Sequence, residues 1–168
     1  MIKPALIIIA GLAVLAAASA ALFVESGHYN IGADEHHWNI TLRVIEQLRD
    51  RSIAMRAHSI EPLLVIDPNG IKDGARRYAA LCAGCHLAPG ILKSDIRTGL
   101  YPHPPNLSQE EVQDPKRAFW IIKHGIKMTG MPAWGKTLDD ATIWDVVAFV
   151  RKIPGMTAEA YQQTLTNP

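Results

Sequence analysis

This sequence has almost no excess of either charge: 17 basic and 16 acidic residues leave a net charge of +1. That excludes a disordered polyelectrolyte. A general nucleic-acid binder needs a basic excess and is excluded too. Cysteine is scarce, two residues in 168, too few for a disulfide-stapled scaffold or a four-cysteine zinc site. The period-two alternation of a strand pair is absent. Long apolar runs are absent after residue 24. The length suits one compact domain plus extras.

What is present falls into three parts, 1–24, 25–69 and 70–168. Ala5 to Val24 is a 20-residue run interrupted only by Gly11 and Ser19. As a helix it would be about 30 Å long, the thickness of a bilayer core. Lys3 precedes it, and Glu25 and His28 follow. The positive-inside rule then keeps the N-terminus in the cytoplasm and exports the rest. A cleaved signal peptide competes, with Ala18-Ser19-Ala20 as a small-residue site. The run continues past that site through Leu22, Phe23 and Val24, which favours an uncleaved inner-membrane anchor.

Residues 25–69 hold 4 basic and 7 acidic groups, and 70–168 hold 12 and 9. His28, His36 and His37 cluster in a polar loop. Imidazoles bind copper or zinc, but with no cysteine nearby the better reading is a solvated loop. From Trp38 to about Ala57 the pattern turns helical, with Trp38, Leu42, Ile45, Leu48 and Ser52 as its apolar stripe. This connector helix is expected to pack on the following domain or a neighbouring subunit. Its acidic residues weaken a membrane-surface reading, which prefers a basic polar face. Glu61-Pro62 ends it, and Asp67-Pro68-Asn69-Gly70 is turn chemistry.

The third part carries the chemistry. Residues 82–86 read Cys-Ala-Gly-Cys-His, the signature of c-type haem attachment. Two thiols on neighbouring positions of a helical turn add to the vinyl groups of one haem. The adjacent His86 then supplies the proximal ligand. Zinc would want a second cysteine pair, and a thioredoxin motif a βαβ context. One covalent haem c is therefore expected. For the sixth ligand the candidates are Met128, Met131, Met156, His103 and His124. Met131 is the best, because Gly130 and Pro132 hold an extended loop around it. Met128 is its main rival.

Residues 70–153 resemble the class I c-type cytochromes. The resemblance rests on Gly74, Tyr78, the CAGCH motif, Pro89, the late Gly130-Met-Pro-Ala-Trp-Gly and the Trp144–Phe149 segment. It implies an all-α, cytochrome c-like haem domain whose first and last helices cross closely, Gly74 meeting Phe149. It also implies that the Pro89 carbonyl accepts from the free ring nitrogen of His86. Pro105, Asn106 and Leu107 would pack at the haem edge, and Trp134 on the haem or its propionates. Trp120 reads as core, and Arg97 as solvated or propionate-binding.

Local signals agree with such a domain. A helix is expected from Asp67–Asn69 to about Ala83, a short turn capped by Ser108 and Glu111, a helix from Asp114-Pro115 to about His124, and a last helix from Thr137 and Asp140 to about Lys152. A haem ligated on both faces has no open site, so the expected function is one-electron transfer and not enzymatic turnover. Lys123, Lys127 and Lys136 would form a basic collar for redox partners. The alternative is a fixed cytochrome c subunit of a respiratory complex; a haem enzyme or gas sensor is the weakest reading.

Overall fold

The computed structural model describes residues 2–63 and 67–166. The chain divides into two compact units, Met1–His37 and Trp38–Pro168.

In the first unit, α1 (Ile2–Glu25) is the expected apolar helix. Lys3–Glu25 is long and apolar enough to cross a membrane, with a mean hydropathy of 2.6. After it, the Tyr29 hydroxyl lies 2.9 Å from His37 Nδ1. No group of three or more His, Cys, Asp or Glu side chains placed to hold a metal ion occurs among the described residues.

The second unit is built from helices: α2 (Asn39–Ala57), α3 (Pro68–Leu81), α4 (Ala83–His86), α5 (Asp95–Thr98), α6 (Pro115–His124), α7 (Asp140–Val150) and α8 (Ala158–Thr166). A 3₁₀ turn, Trp134–Lys136, precedes α7. The chain is all-α, with no strand among the described residues.

Capping chemistry sets the starts. The Asp67 side chain accepts from Asn69 N at 3.1 Å, with Pro68 opening α3. The sequence Asp67–Gly70 is thus a helix start and not a free turn. Asp114 accepts from Lys116 N and Arg117 N at the head of α6. α7 is capped by Asp139, which accepts from Thr142 N at 2.8 Å, not by Thr137. The expected Ser108–Glu111 box does not form. Instead Asn106 accepts from Ser108 N, Glu110 accepts from Asn106 N, and the segment stays a turn.

The core lies where α3 crosses α7. A Cβ on Gly74 would sit 2.5 Å from the carbonyl carbon of Asp145 and 2.9 Å from Val146 N. Only a residue without a side chain permits that approach. Gly74 therefore meets the backbone of α7 at Asp145 and Val146, about one turn before Phe149. The Phe149 ring packs on Tyr78, 5.6 Å between centroids, and on Tyr161 of α8, 6.1 Å. α6 joins through Phe119, stacked on Trp144 at 4.4 Å. The α7 stripe expected from sequence is buried at Ile143, Val146, Val147 and Val150, with Leu138 partly so.

α2 packs on α6, but not by the expected stripe. Its inward residues are Leu42, Arg49, Ile53 and Ala57, while Ile45 and Leu48 are exposed. Asp50 accepts from Arg49 Nε at 2.9 Å and lies 3.8 Å from Arg117 Nη2 on α6. The Arg49 bond chiefly holds the Asp50 carboxyl below its ordinary value, against a smaller opposing effect of burial. A depressed carboxylate stabilises above its unfolded pKa and stops doing so as pH falls through the folded value. The stability that this carboxylate contributes to α2 is therefore expected to fade as pH falls below about 4. Amide exchange along α2 measures this. An Asp50→Asn chain with the same acid profile would refute it.

Candidate functional site

α3 ends at Leu81 and hands the chain directly to the motif, with Cys82 N donating to Tyr78 O at 2.9 Å. The single turn α4 follows, and His86 N and Cys85 N both donate to Cys82 O, at 2.8 and 3.0 Å. The chain then turns sharply at Leu87, whose φ of +62° and ψ of −179° lie in a region that costs a non-glycine about 1–3 kcal/mol. The buried Tyr78 hydroxyl holds that turn by donating to Leu87 O at 2.6 Å. Burial raises the Tyr78 pKa, so the hydroxyl remains a donor.

Two adjoining cavities of about 420 Å³ each open beside the motif. Both are lined by Cys82, His86, Pro105, Arg117, Ile121 and Met131. The first runs inward to Tyr78, Val146 and Val150. The second runs past Cys85, the Leu100–Pro105 loop and Trp134 to Arg49 and Ile53 of α2. Together they have the size and apolar lining of a cofactor pocket.

The Leu100–Leu107 loop is stitched to the motif histidine twice. Leu107 N donates to His86 O at 3.2 Å, and His86 Nδ1 lies 3.0 Å from Pro105 O. A carbonyl only accepts, so the proton sits on Nδ1 and Nε2 keeps its lone pair. Burial lowers the His86 pKa, with the Pro105 carbonyl opposing, and the ring is neutral at pH 7. The carbonyl partner is thus Pro105 and not Pro89. Pro89 is buried and lines neither cavity. Both prolines follow the histidine, and sequence spacing alone did not separate them.

The methionine loop is closed on itself. Ile126 N donates to Met131 O at 3.3 Å, and Met131 N to Thr129 Oγ1 at 3.1 Å. Gly125 ends α6 at φ +64°, and a Cβ there would meet Met131 O, Pro132 C and Ala133 N at 2.6–2.8 Å. Met131 is half-buried against the core. Met128 is fully exposed and faces neither cavity. Met156 packs on the core, and His124 stacks on Trp120 at 4.9 Å. His103 lines the second cavity, with Nδ1 3.1 Å from Arg97 O.

The remaining expectations divide. Leu107 lines the first cavity, Trp134 the second, and Pro105 both. Asn106 and Trp120 line neither. Arg97 donates from Nη2 to Pro104 O at 2.9 Å, bracing the loop instead of reaching into a cavity. Lys123 is bound to Asp140 at 2.6 Å, which removes it from the basic collar and leaves Lys127 and Lys136 exposed. Sequence reasoning missed Arg49 and Arg117 as cavity residues. Each is one of several basic residues on an amphipathic helix, and nothing local singles it out.

The donor set fits one haem better than a zinc ion or a redox disulfide. Cys82 and Cys85 are not joined to each other. Burial, with Cys85 adding, pushes the Cys82 thiol up to about 12. An unattached thiol there stays protonated at neutral pH, a poor metal ligand and a poor exchange nucleophile. Residues 69–150 match the family described as cytochrome c oxidase, cbb3-type, subunit III. They belong to the class I c-type cytochromes, and this part of the chain is an electron-carrying domain with covalently bound haem c.

Proposed function

We propose that this chain is a membrane-anchored one-electron carrier holding a single haem c through Cys82 and Cys85, with His86 and Met131 as axial ligands. The observation that carries the ligand assignment is that His86 and Met131 line the same two cavities beside Cys82, while Met128 points to solvent. Haem c when bound supplies reversible Fe(III)/Fe(II) chemistry. Pro105 fixes the His86 tautomer and strengthens its donor atom. The Gly125–Ala133 loop presents the Met131 thioether, and a thioether raises the potential relative to a second imidazole. Arg49 and Arg117 would hold the propionate carboxylates, since charge-assisted guanidinium–carboxylate bonds are the strong ones in a partly desolvated cavity. Trp134 covers the second cavity.

With both axial positions filled by the protein, the domain exchanges electrons with redox partners and turns over no substrate of its own. The anchor is uncleaved, the N-terminus cytoplasmic, and the haem domain on the periplasmic side of the inner membrane. Lys127 and Lys136 flank the ligand loop and favour an acidic partner surface. The match to an oxidase subunit family supports a second reading, a fixed subunit of a respiratory complex. The site chemistry would be the same, and co-purification with a partner from mild detergent would distinguish the two.

The test is the reduced protein exposed to carbon monoxide. An unchanged low-spin spectrum is expected. Rapid formation of a CO adduct would mean an open or labile sixth position, and the simple carrier reading would fall.

A further inference from the structure

α2 has two faces, and the haem domain uses only one. Ile53, Ala57 and Leu42 face inward, Glu46 is half-buried on that side, and Asp50 lies exposed at its edge. On the opposite side Ile40, Val44, Leu48 and Met55 form a second stripe, 67%, 56%, 69% and 68% exposed. Arg51 falls within that stripe and is exposed, while Arg43 and Arg56 lie on the two flanks of the helix. The outward stripe of α2 thus combines apolar anchors with one basic charge, Arg51, and no acidic one. That is the pattern of a helix lying in a membrane interface. Of the acidic residues that argue against this reading in the sequence, neither falls within the outward stripe: Glu46 is half-buried on the inner side and Asp50 lies on the flank, paired with Arg49. A lipid surface is also close along the chain: residues 26–38, which join α1 to α2, reach about 45 Å at most when fully extended.

We propose that the outer face of α2, Ile40, Val44, Leu48 and Met55 with Arg51, seats on the anionic lipid surface of the bilayer that holds α1. The inner face of the same helix contributes Arg49, Asp50 and Ile53 to the second cavity. A helix is about 10 Å across. Where the haem reading above holds, a seated α2 keeps the haem pocket roughly one helix diameter from the headgroups and orients it toward partners embedded in the membrane.

The experiment uses the full-length haem-loaded chain carrying Leu48→Cys, reconstituted in phosphatidylcholine vesicles with and without phosphatidylglycerol. A charged, membrane-impermeant maleimide labels the new thiol, and peptide mass spectrometry reads the site. Labelling at 48 is expected to slow at least tenfold in the anionic vesicles relative to the neutral ones. Adding Arg51→Glu should restore the rate, while a Gln162→Cys control on α8 labels alike in both. Equal rates in both lipids would overturn the proposal. So would equal protection in both lipids and in detergent, which would mean a protein or a second copy covers the face. Absorption spectra of the same samples report the haem separately, so loss of the site and loss of the membrane seat are distinguishable.

Discussion

Met131→Ala is expected to abolish the weak far-red sulfur-to-iron charge-transfer band of the oxidised protein and to open the haem to carbon monoxide. The thioether lines both cavities, and among the described residues the other methionines are placed elsewhere: Met128 in solvent, Met55 exposed on α2 and Met156 against the core. Axial ligands set haem potentials over a range of about 0.8 V, so the midpoint should fall by roughly 0.1–0.4 V. Part of any change will be structural. Truncating a buried methionine costs about 2–5 kcal/mol, and half-burial puts Met131 near the lower end. Met131→His separates the two effects. It restores a six-coordinate, low-spin haem that refuses carbon monoxide but lacks the band and keeps a lowered potential. Met128→Ala should leave the spectrum untouched. Survival of the band in Met131→Ala, or its loss in Met128→Ala, would assign the ligand to the rival.

The contrast between those two methionines shows what the sequence could and could not convey. The CAGCH spacing is local, because both thiols and the imidazole belong to one helical turn, and it is readable at once. Choosing Met131 rested on its Gly-Met-Pro neighbours. The tie that makes the loop work, Gly125 against the backbone of residues 131–133, is a tertiary contact. Helices with a strong cap were legible at Asp67 and Asp114. Asp139 was missed in favour of Thr137, since a threonine and an aspartate two residues apart offer the same cap chemistry. α8 was missed altogether. Its signals are the Thr157 hydroxyl accepting from Ala160 N, and Tyr161 and Leu165 at a spacing of four, and Gly155 directly upstream reads as a chain end.

α2 gave the most instructive error. Its sequence carries apolar residues on two sides, and periodicity reports that a face exists without saying which neighbour it meets. Ile53 and Ala57 are the side chains buried on the inward side, and their neighbours come from α6, far along the chain, which no local pattern encodes. The same limit applies to Pro89 and Pro105. Each can present a carbonyl, and only the path of the Leu100–Leu107 loop back over His86 brings one of them to 3.0 Å.

Gly74→Val is expected to be the most damaging single change outside the motif, and Gly84→Ala its near-opposite. At 74 the first added carbon already lies within 3 Å of the α7 backbone at Asp145 and Val146. Backbone atoms of a packed helix cannot rotate away as a side-chain tip can, so α3 and α7 must separate. Overpacking of this kind costs about 3 kcal/mol or more, a large share of the roughly 5–15 kcal/mol that holds a domain together. A fall in Tm of at least about 10 °C should follow. The damage also reaches the site, because α3 leads directly into Cys82 and α7 contributes Val146 and Val150 to the first cavity. Less haem should be attached per chain, and the residual holoprotein should bind carbon monoxide. At Gly84, inside the motif, a Cβ meets nothing within 4 Å, and φ lies outside the left-handed region. Alanine there should raise stability by about 0.4–1 kcal/mol through the unfolded chain. Thermal unfolding and haem content of the two variants, measured side by side, test whether the close crossing or mere glycine content governs this fold. If Gly74→Val matched the wild type in both, the crossing would not be the constraint that the Asp145 backbone makes it.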